Sequence, residues 1–172
     1  MHTPAGVTSS VGRGGEGESW QRIRNVIAVN LDAALATVAA VLPPMRERRA
    51  GQIALVSSLS AYRGLPLTPA YCASKAALKS YAEALRGPLA ADGVAVNLVL
   101  PGFVASAMSD AFAGPKPLLM SPDRAARIIR RGLARNRSRI AFPIPLSWGM
   151  WWLALMPPAL SGRILRALGY GG

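Results

Sequence analysis

The chain has 172 residues, 51% of them hydrophobic, which is enough for one α/β domain with a real core and too few for two. Twenty Lys and Arg against eight Asp and Glu leave a formal charge of +12, which favours anionic partners such as nucleotides, anionic lipid or nucleic acid without choosing among them. A single cysteine, Cys72, excludes an internal disulfide framework, and with His2 the sole histidine no Cys/His cluster has metal-ligand spacing; a reducing cytoplasm and a metal-free site fit this composition.

Residues 1–19 are rich in Gly, Ser and Thr and read as a loop. The run Gly12 to Glu18 is not expected to cradle a phosphate, because no strand precedes it and the G-x-G-x-x-G spacing is missing. No apolar h-region lies between Met1 and Trp20, so a secretory signal is not expected. From Trp20 to about Arg48, apolar residues from Ile23 and Val26 to Leu42 and Met45 recur at steps of three or four, which predicts a long helix with a bend near Pro43-Pro44. Gly51 separates it from Ile53 to Val56, a short apolar run suited to a strand covered on both faces. A loop over 59–69 leads to an alanine-rich helix from Tyr71 to Leu89, and Asp92-Gly93 turns the chain into a second buried strand, Val94 to Leu100. Ser121-Pro122-Asp123 opens another helix through about Ala134, and Ile140 to Phe142 is a third strand. Strands alternating with helices imply a doubly wound parallel α/β sheet.

Tyr71 and Lys75, four apart, share one face of their helix. A phenol with an unperturbed pKa near ~10 is a poor base at neutrality, and a nearby ammonium favours its ionised form. Alone the pair is weak evidence, since this spacing arises by chance on many helices. Its surroundings strengthen it. Ser58 ends the apolar strand, where open α/β sheets bind ligands; Asn30 lies on the preceding helix; Pro101-Gly102-Phe103-Val104 follows the next strand. Read one by one, Ser57, Ser58 and Ser60 are also suited to satisfying turn backbone, Asn30 to bonding a neighbouring backbone group, and Cys72 to packing as an inert thiol.

Taken together, Val29-Asn30-Leu31, Ser57-Ser58 after a strand, Tyr71-Cys72-Ala73-Ser74-Lys75, and Pro101-Gly102-Phe103-Val104 after another strand resemble, in order and spacing, the short-chain dehydrogenase/reductase superfamily. The resemblance runs from about Ala5 to at least Arg130. It implies an oxidoreductase that moves a hydride between NAD or NADP and an alcohol or ketone. It further implies Tyr71 as general acid/base, Lys75 as the group that lowers its pKa and holds the nicotinamide ribose, Ser58 as a hydrogen-bond partner of the substrate oxygen, and Asn30 as anchor of a water relay to Lys75. Pro101, Gly102, Val104 and Ser106 would border the nicotinamide, with Ser106 standing where the family usually has Thr. Ala5-Gly6 aligns with the end of the family's Asn-Asn-Ala-Gly motif, and Thr3-Pro4 stand in place of the asparagines. The expectation is thus a partial Rossmann-like sheet that lacks its first three strands, about three βα units, with the residue that would choose between NAD and NADP. A late start codon, gene degeneration or completion by another chain would each account for it.

Three segments follow: residues 1–19 with a remnant of the fourth strand, 20–145 as the catalytic half, and an apolar, basic end over 146–172. Seven arginines between Arg124 and Arg139 read as a solvated helix face. The stretch Leu146 to Met156, with Trp148, Trp151 and Trp152, is too short to span a bilayer and suits either a lid over a lipophilic substrate or a helix in the membrane interface. In the family, the long helices matching 20–48 and 71–90 pack across a dimer interface, so a homodimer is implied. A non-catalytic dimerisation module and a basic membrane-surface protein are the alternatives. Nucleic acid is not an expected partner, because the arginines come with no recognition motif.

Overall fold

The computed structural model describes residues 7, 8 and 17–170. Ala5, Gly6 and the expected fourth-strand remnant lie outside the described residues. The elements run α1 (Trp20–Ile27), a π-helical segment (Ala28–Asp32), α2 (Ala33–Glu47), β1 (Gly51–Val56), a 3₁₀ turn (Leu59–Ala61), α3 (Pro69–Ala91), β2 (Val94–Pro101), α4 (Ala107–Asp110), α5 (Pro122–Ala134), β3 (Arg139–Phe142), α6 (Ile144–Leu155), α7 (Pro158–Leu165) and a π turn (Arg166–Tyr170). The three strands form one parallel sheet in the order β1-β2-β3, with Ile53 opposite Val96 and Val99 opposite Ile140. This is an α/β, Rossmann-like arrangement, since each parallel pair is joined by a helical crossover.

β2 sits in the centre and is buried on both sides because successive side chains alternate between two cores. Val94, Val96, Leu98 and Leu100 meet the helices on one face, with Leu78, Ala82 and Leu89 of α3 and Val38 of α2. Val99 faces the other way, with Ile140 and Phe142 of β3 and Ala125 of α5. Gly132 allows α5 to approach β3, for a Cβ there would lie 2.5 Å from Ile140. β1 departs from the expectation of a strand covered on both faces. Ile53 and Leu55 are buried, but Gln52, Ala54 and Val56 are exposed, because α5 packs chiefly over β2 and β3 and meets the outer face of β1 at Gln52, whose side-chain amide donates to Leu133 O at 2.9 Å.

The long N-terminal helix leaves regular α geometry at residues 28–32, not at Pro43-Pro44, through which α2 continues to Glu47. π segments widen a helix by one residue and often serve a site. Here the segment carries Asn30, the one buried side chain of its turn. Trp20–Glu47 is long and apolar enough to cross a membrane, but Asn30 and Val38 seat it against α3 and the sheet. Serines cap two helices: Ser121, expected from the sequence, accepts from Arg124 N before a proline at the first turn, and Ser19, at the end of the segment read as loop, accepts from Arg22 N. At the Asp92-Gly93 turn, Gly93 has φ +75°, and a Cβ would strike the carbonyl oxygen of Arg49. Met150, Leu165 and Tyr170 join the main core, so α6, α7 and the final π turn pack onto the same body as the sheet.

Candidate active site

The C-terminal ends of β1 and β2 open into a cleft of about 910 Å³, and Ser58, Tyr71, Lys75, Pro101, Gly102, Val104 and Ser106 all line it. Ligand crevices of open parallel sheets lie at this end of the strands. Asn30 does not reach that cleft. It lines a neighbouring groove of about 410 Å³ between α1–α2 and β1, which shares Val56 and Lys75 with the first.

Ser57 and Ser58 leave the strand with different tasks. Ser57 is buried, donates its hydroxyl to the carbonyl oxygen of Lys75 at 2.6 Å and thereby ties β1 to α3. Ser58, in extended backbone, accepts from the Ser60 amide at 3.2 Å and from the Ser60 hydroxyl at 3.0 Å. A hydroxyl has two acceptor sites and one proton, so these contacts occupy the lone pairs and leave the Ser58 proton for the cleft. Its hydrogen bond with Tyr71 stabilises the phenolate side of that pair.

Tyr71 and Lys75 enter from the first turns of α3, whose first amides are met by unexpected means. Thr68 makes no side-chain cap, and Glu18, in the segment read as plain loop, accepts from Ala70 N at 2.8 Å. The ammonium of Lys75 lies 5.7 Å from the centroid of the Tyr71 ring and donates to the carbonyl oxygen of Val56 at 3.2 Å. Burial draws the Lys75 pKa down to about 8. Burial also raises Tyr71 above its ordinary value, with the Ser58 hydrogen bond acting in the opposite sense. In the protein alone desolvation is the largest influence on both groups, and Lys75 is turned toward the end of β1.

Asn30 is buried and hydrogen-bonded within the protein. Its carboxamide accepts from Val7 N at 2.8 Å, donates to Val7 O at 2.8 Å and donates to the Ser74 hydroxyl at 3.2 Å, while Ser74 donates to Tyr71 O at 2.7 Å. The chain Val7–Asn30–Ser74–Tyr71 fixes the N-terminal segment to the turn that carries the tyrosine. Cys72 is buried and free, and its sulfur accepts from Leu65 N.

After β2, Gly102 donates to Phe142 O at 2.7 Å, and a Cβ would come within 3.0 Å of Leu146 and Pro143, so a glycine is needed for α6 to close on the loop. Val104 bridges Met120, and Ser106 caps α4 by accepting from Ser109 N at 3.2 Å. The far wall of the cleft is apolar: Leu146, Met150 and Leu153 of α6 come from the stretch read as a lid, and Phe112 after α4, Leu165 of α7 and Tyr170 of the final π turn join them without having been foreseen. Phe112 packs against Phe103 and Tyr170, with centroids 5.4 and 6.4 Å apart.

A serine, a tyrosine and a buried lysine converging at the ends of parallel strands mark the class of Rossmann-like oxidoreductase folds. Comparison with known proteins narrows it: the model of the family "short chain dehydrogenase" matches residues 2–115, and the chain belongs to that family. The chain is 38% identical over 149 residues to an uncharacterized oxidoreductase of Myxococcus xanthus, covering 87% of this chain and 59% of the relative. It is 30% identical over 165 residues to an uncharacterized oxidoreductase of Mycobacterium tuberculosis, covering 91% and 63%. The chain thus spans about six-tenths of the length of these relatives. Among solved structures, a short chain dehydrogenase from Burkholderia cenocepacia in complex with NADP superposes with a TM-score of 0.79 at 26% identity, covering 94% of this chain and 66% of that one.

Proposed function

We propose that the chain carries the catalytic residues of an NAD(P)-dependent oxidoreductase that interconverts a lipophilic alcohol and its ketone. The observation that carries this reading is the convergence of Ser58, Tyr71 and Lys75 in one cleft whose remaining walls are almost wholly apolar. The residues present fit the nicotinamide-ribose end of a dinucleotide. Lys75 has three N–H bonds and gives one to Val56 O, so the other two are suited to ribose hydroxyls, and the Pro101 to Val104 loop and Ser106 would border the ring. A bound nicotinamide supplies or accepts the hydride.

The side chains do the rest. Tyr71 stays protonated at neutral pH because burial raises its pKa, so it is set to donate a proton to the carbonyl oxygen during reduction. Ser58, whose one proton bonds Tyr71 in the protein alone, would turn that proton to the same oxygen, the position at which negative charge develops. In the oxidative direction the phenol must lose its proton, and the Lys75 ammonium, still charged below about pH 8, favours that loss once it is swung toward the ring.

A homodimer through Trp20–Glu47 and α3 suits the surface, because the first of these is strongly apolar and only Val26, Asn30 and Val38 of it are buried. A free, buried Cys72 suits a reducing cytoplasm. The test is reduction of ketones of graded hydrophobicity by NADPH and NADH. Tyr71→Phe should lower turnover at least ~100-fold with the fold unchanged. Turnover surviving that change would remove Tyr71 from the mechanism.

A further inference from the structure

α6 is apolar on both of its sides. Leu146, Met150 and Leu153 point into the cleft, while Ile144, Trp148, Trp151, Trp152 and Leu155 recur at steps of three or four and face outward. Trp148 and Trp152 are 59% and 55% exposed, Ile144 and Leu155 67% and 59%. The three indoles stack edge to face, with centroids 5.7 and 5.3 Å apart, in one continuous aromatic surface. Helices that are hydrophobic all round belong in a core or in lipid, and a patch this large on a soluble face marks a contact surface.

Charge selects the occupant. From Ile140 to Gly162 there is no charged residue, and every ionisable charge from Arg124 to the C-terminus is an arginine, nine in all, with Arg139 paired to Glu83. Arg163 and Arg166 are exposed beside the apolar stretch, and Arg63 reaches the carbonyl of Pro158 at 3.5 Å, where α6 gives way to α7. A second copy brought onto this face would set arginine against arginine. An anionic bilayer would neutralise them.

We propose that the outward face of α6, with Leu160 and Arg163 of α7, docks the protein on an anionic lipid bilayer. Twelve residues give a helix of roughly 18 Å, too short to span a hydrocarbon core of about 30 Å, so α6 lies in the interface plane with its indoles at the headgroup level. Arginines flanking the patch add headgroup attraction. The opposite side of the same helix walls the cleft, so docking brings the cleft within about one helix diameter of the lipid. The docking itself does not depend on catalysis.

The test uses the full chain with vesicles of phosphatidylcholine alone and of phosphatidylcholine mixed with phosphatidylglycerol. Cosedimentation with the mixed vesicles, weaker at high salt, and a blue-shifted tryptophan emission quenched by brominated acyl chains are expected. The triple variant Trp148→Ser, Trp151→Ser, Trp152→Ser should bind at least tenfold more weakly, whereas Trp20→Ser, on α1, should bind as the parent does. Arg163→Gln with Arg166→Gln should weaken binding to the mixed vesicles alone. Absence of vesicle binding by the parent chain, emission untouched by brominated lipid, or undiminished binding by the triple variant would overturn the proposal. So would a dimer that the triple variant dissociates while neither form binds lipid, since the face would then belong to a second copy.

Discussion

Replacing Lys75 with methionine should make the protein more stable at neutral pH while removing its cofactor contact. Burial alone pulls the Lys75 pKa from 10.5 to about 8. Between those values the unfolded chain holds a proton that the folded chain has released, so stability rises as pH climbs through this window. Below about pH 8 the cost of keeping the buried amine charged is fully present, on the order of 3 kcal/mol for a shift of this size. Methionine fills a similar volume without charge. It forfeits a charge-assisted bond to Val56 O, about 2 kcal/mol, so a net gain of about 1 kcal/mol is expected near pH 7. That gain should shrink and change sign as pH approaches ~10.5. Burial raises Tyr71 in both proteins, so its effect at high pH cancels in the comparison. Urea unfolding followed by circular dichroism at about pH 7 and about pH 10 measures the difference. A variant no more stable than the parent at pH 7, or a gap that does not change with pH, would refute the burial argument.

Asn30→Ala removes three hydrogen bonds that join Val7, the π segment and Ser74, and should cost about 2–3 kcal/mol in the same urea assay; a loss under ~0.5 kcal/mol would mean that the segment is held by packing. Gly93→Ala places a Cβ against the Arg49 carbonyl at a positive φ and should cost more than about 2 kcal/mol, read as a lower thermal midpoint.

The order of elements was legible because its signals are local. Periodicity marked Trp20 to Arg48 and Tyr71 to Leu89, glycine and proline marked the breaks, and the centres of all three strands fell within the observed ones. The spacing of Tyr71 and Lys75 and the place of Ser58 after a strand likewise brought them into one cleft. What was illegible depends on partners distant in sequence. The π segment exists around an asparagine whose partners lie 23 and 44 residues away. The open face of β1 looks, in one dimension, like the buried face of β2, since both are apolar runs. Glu18 offered no sign that it would meet Ala70, 52 residues on. The direction in which burial moves the Tyr71 pKa was likewise illegible, because that burial is set by elements distant in sequence. α6 read as either lid or membrane segment; its two apolar sides give each reading its own set of residues.

Whether the cleft holds a dinucleotide decides the roles of Tyr71 and Lys75. Titrating the 172-residue chain with NADPH and with NADH, followed by tryptophan quenching and calorimetry, should give saturable binding of at least one of them through its nicotinamide-ribose end, weakened at least tenfold by Lys75→Met. A folded chain that binds neither, or binds equally well without Lys75, would contradict the assignment of this cleft.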